Sequence, residues 1–327
     1  QILLGLGLWA RHRLESLSSK QKKALVKKTI NNVFSWFESR GLLARTPAYD
    51  YDYLKTYPAL QKLETNHAAI QQECLALLDM KDQLADMSAM GGSYTQAGIH
   101  TANWKTFMFK SGNFIDENCA RCPETAALLR QVPGLYTAFF SVLEPHQSLA
   151  THFGYYKGFL RYHMGVMVPN DNANGECWIR INADSSDNAR RDPCLIEKGE
   201  RYCWKNGQGV VFDDTFLHEA ANESDEVRVV LWFDFRRKMP WYLDAFNRFC
   251  LFIFHKEPSV RRIRENAVFA PEPGFGFFPV PACLRGFSAS RGGLSGVSCG
   301  PKGRTVRAPT PENSSSSPAE VGTIHGR

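Results

Sequence analysis

Residues 209–235 decide the fold class, and they read GVVFDDTFLHEAANESDEVRVVLWFDF. Two runs rich in β-branched and aromatic residues, 209–212 and 227–235, enclose a polar stretch that contains His218. Runs of this length and composition predict β-strands. The second run carries Arg228 inside an otherwise apolar strand, and a guanidinium in such a strand needs an anion. The stretch therefore predicts a β-rich domain with a charged site.

Similar short runs continue upstream of this stretch. They lie at 104–110, 136–143, 159–168, 176–182 and 201–204, and one helix is predicted at 123–132. Asn206-Gly207 is the strongest hairpin signal, between Trp204 and Val210. The strands do not alternate with helices as they do in a doubly wound sheet. The pattern predicts a mainly β fold with flanking helices, and a jelly roll fits the number of strands.

Composition divides the chain into five segments. We predict a basic N-terminal segment at 1–45, a helical lead-in at 46–99, the chemical domain at 100–240, a helical segment at 241–284 and a disordered tail at 285–327. The apolar start at 1–10 is either the end of a membrane anchor or part of an amphipathic helix. The apolar run at 241–254 either packs on the sheet or on a second subunit, or lies in a membrane interface. The location is accordingly expected to be membrane-associated or cytoplasmic.

Charge and cysteine content exclude other classes of protein. The net charge of +6 arises at the two ends, since 1–45 carries nine Lys/Arg against two Glu and 285–327 carries six against two. The intervening residues are net acidic, which argues against a nucleic-acid partner. Nine cysteines are too few and too irregularly spaced for a disulfide scaffold. The single CxxC, Cys119 and Cys122, lacks the second pair of ligands that a structural zinc requires.

Two histidines in the β region are candidate metal ligands. His152 and His218 both fall within the β region, and two His on different strands can hold one divalent iron. Imidazole is a suitable ligand for ferrous iron, which oxygenases commonly hold with two His and one carboxylate. The carboxylate is missing here, because the chain reads His152-Phe153-Gly154. A buried His bonded to a backbone carbonyl is the commoner role of such a residue. The neighbouring Arg228 makes a site the better interpretation.

These motifs resemble the aspartyl/asparaginyl β-hydroxylase family of Fe(II)- and 2-oxoglutarate-dependent dioxygenases. The resemblance covers about residues 100–240. It rests on the Cys122-Pro-Glu-Thr segment, on His152-x-Gly followed by 160–165 (LRYHMG), and on 212–219 (FDDTFLHE). The steps from His152 to Arg161 and from His218 to Arg228 fit the family pattern as well. The fold implied is a cupin-like double-stranded β-helix, the jelly roll.

The resemblance implies a role for each of seven residues. His152 and His218 are expected to bind Fe(II) as the catalytic centre, and Arg228 to pair with the distal carboxylate of 2-oxoglutarate, assisted by Ser141. Arg161 and His163 are expected to face the carboxylate that chelates iron, and Trp104 to border the cofactor cavity. A bidentate Arg on a dicarboxylate also agrees with the planar fork of its guanidinium. With O2 as the second cosubstrate, the implied reaction hydroxylates an unactivated C–H bond.

The resemblance implies two candidate substrates, of which we expect the β-carbon of Asp or Asn in a protein, with an acyl lipid as the alternative. Gly154 resembles the hydroxylases of Asp and Asn side chains in proteins, which favours the β-carbon of such a residue. The segment 160–165 and the apolar N-terminus resemble lipid A acyl-chain 2-hydroxylases, which favours an acyl lipid. The position left by Gly154 is expected to hold water, with a halide as the alternative. A catalytically silent jelly-roll binding module is the alternative of a different class.

Overall fold

The computed structural model describes residues 18–90 and 102–269. The apolar start at 1–10 and the predicted tail at 285–327 lie outside the described residues. Within them the chain forms β1 (Ala85–Asp86), β2 (Trp104–Ser111), β3 (Asn113–Phe114), β4 (Leu135–Leu143), β5 (Gln147–Phe153), β6 (Phe159–Met167), β7 (Cys177–Asn182), β8 (Glu200–Cys203), β9 (Gly209–Phe212), β10 (Leu217–Asn222) and β11 (Arg228–Arg236).

Helices precede, interrupt and follow these strands. They are α1 (Ser19–Ser39), α2 (Tyr53–Thr56), α3 (Gln61–Thr65), α4 (His67–Leu78), α5 (Asp116–Cys119), α6 (Pro123–Arg130), α7 (Ser185–Arg190), α8 (Trp241–His255) and α9 (Pro258–Asn266). Short 3-10 turns lie at Pro58–Leu60, Lys81–Gln83, Met87–Met90, Pro169–Asn172 and Pro193–Lys198. None of the helices in 18–90 and 102–269 is both long enough and apolar enough to cross a bilayer.

The strands form two antiparallel sheets. The large sheet has the order β1-β2-β4-β11-β6-β9, with β3 paired to β2, and the small sheet has the order β5-β10-β7-β8. Side chains from both sheets, among them Phe139, Ile179 and Val230, share one buried cluster between them. This arrangement is the double-stranded β-helix, so the predicted jelly roll with flanking helices is confirmed.

Strand β11 is apolar from Val229 to Phe233 because both of its faces are covered. Val230 and Trp232 belong to the cluster between the sheets, whereas Leu231 and Phe233 alternate with them in a second cluster on the outer face. Helices α4 and α6 supply the cover for that outer face, for example with Ile70 of α4. Arg228, at the start of β11, is in register with Leu143 of β4.

Most predicted strands are observed to within one residue at each end, but the two that carry the histidines were not predicted. β5 and β10 contain alternating polar residues and few β-branched ones, so neither resembles a strand by composition. The hairpin prediction at Asn206-Gly207 is wrong. Gly207 does turn, with a φ of 71°, but the turn joins β8 of the small sheet to β9 of the large sheet, and these two strands do not pair. The five segment boundaries remain predictions.

Candidate functional site

The small sheet places the two candidate ligand histidines side by side. His218 of β10 lies directly opposite His152 of β5 in the antiparallel register. Their ring centroids are 4.1 Å apart. Side chains directly opposite each other on paired strands lie closer together than any others between those strands. Both imidazoles therefore reach the same space between the sheets.

Backbone carbonyls fix the tautomer of both rings. Nδ1 of His152 lies 2.7 Å from the carbonyl oxygen of Ala150, and Nδ1 of His218 lies 2.8 Å from that of Phe216. Because a carbonyl only accepts, each Nδ1 carries the proton and each Nε2 keeps its lone pair. Burial lowers the pKa of His152 to about 4 and holds that of His218 well below its usual range, with Arg161 adding to both effects. Both rings are therefore neutral at pH 7, as metal ligation requires.

Arg228 is a buried cation that has no carboxylate partner among the described residues. Its side chain is 1% exposed, its Nε has no hydrogen-bond partner in that range, and its guanidinium lies 4.6 Å from the Trp204 ring centroid. Burial lowers its pKa to about 10. A buried guanidinium is stable only if an anion compensates it, so this residue is suited to bind an anionic ligand.

Trp104 and Ser141 are joined on the large sheet. The indole Nε1–H of Trp104 donates to Oγ of Ser141 over 2.8 Å, and both side chains are buried. Since that hydroxyl oxygen accepts from Trp104, its own O–H remains available to an acceptor in the cavity.

His163 sits in an aromatic environment without a polar partner in the described range. Neither of its ring nitrogens has a hydrogen-bond partner there, and the ring packs edge-on against Phe212 at 4.9 Å and near Trp204 at 5.7 Å. Burial, together with Arg161 and Arg228, holds its pKa well below the usual range. A neutral imidazole with two unused polar atoms in a cavity is a candidate contact for a bound ligand.

Arg161 is held by two buried carboxylates. Its Nε and one terminal nitrogen donate to Asp234 over 2.9 and 3.1 Å, and a terminal nitrogen lies 2.7 Å from Asp214. Its guanidinium also lies 3.9 Å from the Trp232 ring centroid. Burial raises the pKa of Asp214 to about 7 and also raises that of Asp234, although Arg161 opposes both shifts. Arg161 is therefore already ion-paired with Asp214 and Asp234. Its expected contact with 2-oxoglutarate stays a prediction.

Close packing against Asp214 leaves no space for a side chain at Gly154. Its N–H donates to the backbone carbonyl of Asp214 over 2.6 Å, and a Cβ built at this position would overlap the Asp214 carboxyl group. Any side chain at residue 154 is therefore excluded while Asp214 keeps its place. A carboxylate side chain at this position is incompatible with this close approach of Asp214.

All seven predicted site residues line one cavity between the sheets, with a volume of about 80 Å³. His152 and His218 come from the small sheet, and the other five residues come from the large sheet. Sequence reasoning missed other residues of the wall, namely Trp204, Trp232, Asp214, Tyr155 and the apolar side chains Leu149, Phe153, Ile179, Phe212 and Ala220. Asp234, the partner of Arg161, could have been predicted from the sequence. A carboxylate inside an apolar strand needs a cation, just as Arg228 needs an anion.

Among the described residues, two side chains of the cavity are available as metal ligands, His152 and His218. Within 18–90 and 102–269, no third His, Cys, Asp or Glu joins His152 and His218 to form a cluster of metal-binding side chains. Two neutral imidazoles with free Nε2 atoms still suit a divalent iron that takes its remaining ligands from small molecules. Arg228, which has no carboxylate partner among the described residues, lies in the same cavity and fits an anionic cosubstrate.

Comparison with known proteins identifies the family. The family model for aspartyl/asparaginyl beta-hydroxylase matches residues 64–238. Ornithine lipid ester-linked acyl 2-hydroxylase from Rhizobium tropici is 32% identical over 210 residues, which are 62% of this chain and 66% of that protein. Aspartate beta-hydroxylase domain-containing protein 2 from Mus musculus is 31% identical over 144 residues, 41% of this chain and 36% of that protein.

Among solved structures, a Pseudomonas putida prolyl-4-hydroxylase is 14% identical, with a TM-score of 0.32 over 57% of this chain and 96% of that one. The chain spans less than two thirds of the length of the two relatives named above. The family match covers more than half of the chain, including both histidines and Arg228. The chain therefore belongs to the aspartyl/asparaginyl β-hydroxylase family.

Proposed function

We propose that this protein is an Fe(II)- and 2-oxoglutarate-dependent dioxygenase that hydroxylates an unactivated C–H bond. The observation that carries the proposal is Arg228, a fully buried cation without a carboxylate partner in the described range, in the same cavity as two neutral histidines. 2-Oxoglutarate has a carboxylate at each end, so one small molecule satisfies both features. The family of the chain agrees with hydroxylase chemistry.

Each of the seven predicted site residues has a role in this proposal. His152 and His218 would hold the iron through their Nε2 atoms. The iron, when bound, would supply the oxidising chemistry that hydroxylation of a C–H bond requires. Arg228 binds the distal carboxylate through parallel hydrogen bonds, and Ser141, oriented by Trp104, donates its O–H to the same group. His163 and Arg161 border the other end of the cosubstrate, where His163 offers a neutral N–H.

The substrate that we favour is the acyl chain of a lipid. Two cations, Arg161 and Arg228, occur among the described residues that line the cavity. Arg228 is assigned to the cosubstrate and Arg161 pairs with Asp214 and Asp234. No further lining cation in the described range is left for an Asp carboxylate, whereas the many apolar wall residues suit a hydrocarbon. The relative from Rhizobium tropici is named as an acyl 2-hydroxylase, which agrees with this choice.

The β-carbon of Asp or Asn in a protein is the second candidate. It is favoured by the family description and by the relatives named for aspartate β-hydroxylase domains. Gly154, which suggested this substrate at first, loses its weight here because its contact with Asp214 explains it without reference to the substrate.

Turnover with both substrate classes tests the proposal. The full chain is incubated with iron, ascorbate, O2 and 2-oxoglutarate, in one arm with ester-linked acyl lipids and in the other with Asp- and Asn-containing peptides. We expect the lipid to gain one oxygen atom in step with succinate formation, and His218→Ala to abolish both. Hydroxylated peptide with unchanged lipid would establish the second candidate. Succinate from neither arm would overturn the proposed activity.

A further inference from the structure

The outward face of α8 is apolar although its inward face already has a partner. Leu243, Cys250 and Phe254 point inward and are buried in a cluster with α1. On the opposite side Trp241 is 83% exposed, Phe249 60% and Phe252 57%, and Tyr242 and Ile253 are also exposed. Soluble helices normally present polar residues on that side. A contiguous apolar face of this kind marks an interaction surface.

Helix α1 extends this face. Phe37 of α1 contacts Tyr242 of α8 at a centroid distance of 5.8 Å, and Trp36 contacts Phe37 at 4.9 Å. Trp36 itself is half exposed. The two helices therefore present one aromatic surface, which we call the α1–α8 face and define as Trp36, Trp241, Tyr242, Phe249, Phe252 and Ile253.

The described charged residues of α1, α8 and α9 are mostly positive. In α1, Lys22, Lys27 and Lys28 stand against Glu38. Lys256, just after α8, lies with its Nζ 4.1 Å from the ring centroid of Phe252, and α9 adds three arginines against one glutamate. Trp and Tyr on an apolar helix face with a Lys/Arg border are typical of helices that lie in the interface of an anionic bilayer.

We propose that the α1–α8 face docks the protein on an anionic lipid bilayer, with the apolar side chains in the interfacial layer and the basic residues against the head groups. The same face is connected to the cavity. Tyr155 lines the cavity and packs on the cluster beneath α1 and α8. The ammonium of Lys27 lies 4.4 Å from the Tyr155 ring centroid and 5.7 Å from that of Phe254.

Helix α1 also anchors the loop that follows the first histidine. The Asn31 side chain donates to the carbonyl of Tyr155 over 3.0 Å and accepts from the N–H of Lys157 over 3.0 Å. The Lys157 ammonium pairs with Glu38 of α1 at 3.1 Å and with Asp213 at 3.3 Å. Helix α1 therefore joins the α1–α8 face to the loop that forms part of the cavity wall.

Vesicle binding tests the docking surface without any turnover, so its outcome is separate from that of the proposed reaction. Cosedimentation of the full chain is measured with phosphatidylcholine vesicles and with vesicles that also contain phosphatidylglycerol. The variant Phe249→Ser/Phe252→Ser removes two exposed rings from the face. The matched control, Tyr51→Ser/Leu75→Ser, removes two exposed apolar side chains located elsewhere. Circular dichroism verifies that both variants are folded.

We expect the wild type to bind the phosphatidylglycerol vesicles more tightly, and salt to weaken that binding by screening. Loss of two interfacial rings should reduce partitioning roughly tenfold or more, since each buried aromatic side chain contributes on the order of a kcal/mol. The control should bind as the wild type does. Absence of wild-type binding, or equal binding by the two double variants, would overturn the proposal. The proposal would also be overturned if the wild type is a dimer and Phe249→Ser/Phe252→Ser dissociates it without loss of vesicle binding. In that case a second copy of the chain covers the face.

Discussion

Replacing Arg228 with methionine should make the protein more stable and at the same time unable to bind 2-oxoglutarate tightly. The side chain is 1% exposed and has no carboxylate partner within the described residues. Its pKa is lowered to about 10 by burial, which means that the folded state disfavours the charge. Below that pH the charged side chain therefore costs stability, and an apolar side chain of similar length removes the cost.

The magnitude follows from the energetics of buried charges. Exchanging buried ionic groups for apolar ones of similar volume stabilises by about 1–4 kcal/mol, and each kcal/mol raises Tm by about 2–4 °C in a domain of this size. Two charge-assisted hydrogen bonds to a carboxylate are worth about 3–6 kcal/mol together, so affinity for 2-oxoglutarate should fall at least about a hundredfold.

Thermal unfolding with and without 2-oxoglutarate, in the presence of a redox-inert divalent metal, measures both effects. The wild type should gain about 2.7 kcal/mol at a ligand concentration a hundred times its Kd, whereas Arg228→Met should gain at most about 0.4 kcal/mol at that concentration. Arg161→Met is the matched control, because it leaves Asp214 and Asp234 without their cation and should destabilise by about 3–5 kcal/mol. A drop in Tm for Arg228→Met similar to that of the control, or an undiminished ligand shift, would refute the reasoning.

Three further predictions concern the metal, the glycine and the pH dependence. His218→Ala should abolish iron retention, measured by metal analysis after dialysis, and retention equal to wild type would exclude this residue as a ligand. Gly154→Ala should cost about 1–3 kcal/mol in chemical denaturation because its Cβ overlaps Asp214, and an unchanged midpoint would contradict the contact. The folded pKa of Asp214 is raised from 3.8 to about 7, so its contribution to stability is full below 3.8 and is lost as the pH rises towards 7. Asp214→Asn should flatten that decline in unfolding free energy, and an unchanged slope would assign it to other groups.

The four long strands of the large sheet, β2, β4, β6 and β11, were predictable because both of their faces are buried. β6 and β11 are nearly continuous runs of large apolar residues, and such runs can be read directly as strands. β5 and β10 were not predictable in this way. His218, Glu219 and Asn222 have low β-propensity, and the pairing of β10 with β5 and β7 overrides it.

The seven site residues were implied by the family resemblance, but their partners depend on tertiary contacts. Arg161 meets Asp234 across the β6–β11 register and Asp214 across a loop. Nothing in the local sequence of Gly154 indicates that Asp214 fills the space beside it. Trp204 and Trp232 were hidden among other apolar residues, since only the fold distinguishes a cavity wall from ordinary core.

Calorimetric titration of 2-oxoglutarate into the full chain tests the central claim most directly. With a redox-inert divalent metal present, we predict one binding site per chain that is lost when the metal is removed, lost in His218→Ala, and weakened at least about a hundredfold in Arg228→Met. Absence of 2-oxoglutarate binding to the metal-loaded wild type would contradict the assignment of the histidines and Arg228, and would support a catalytically silent binding module instead.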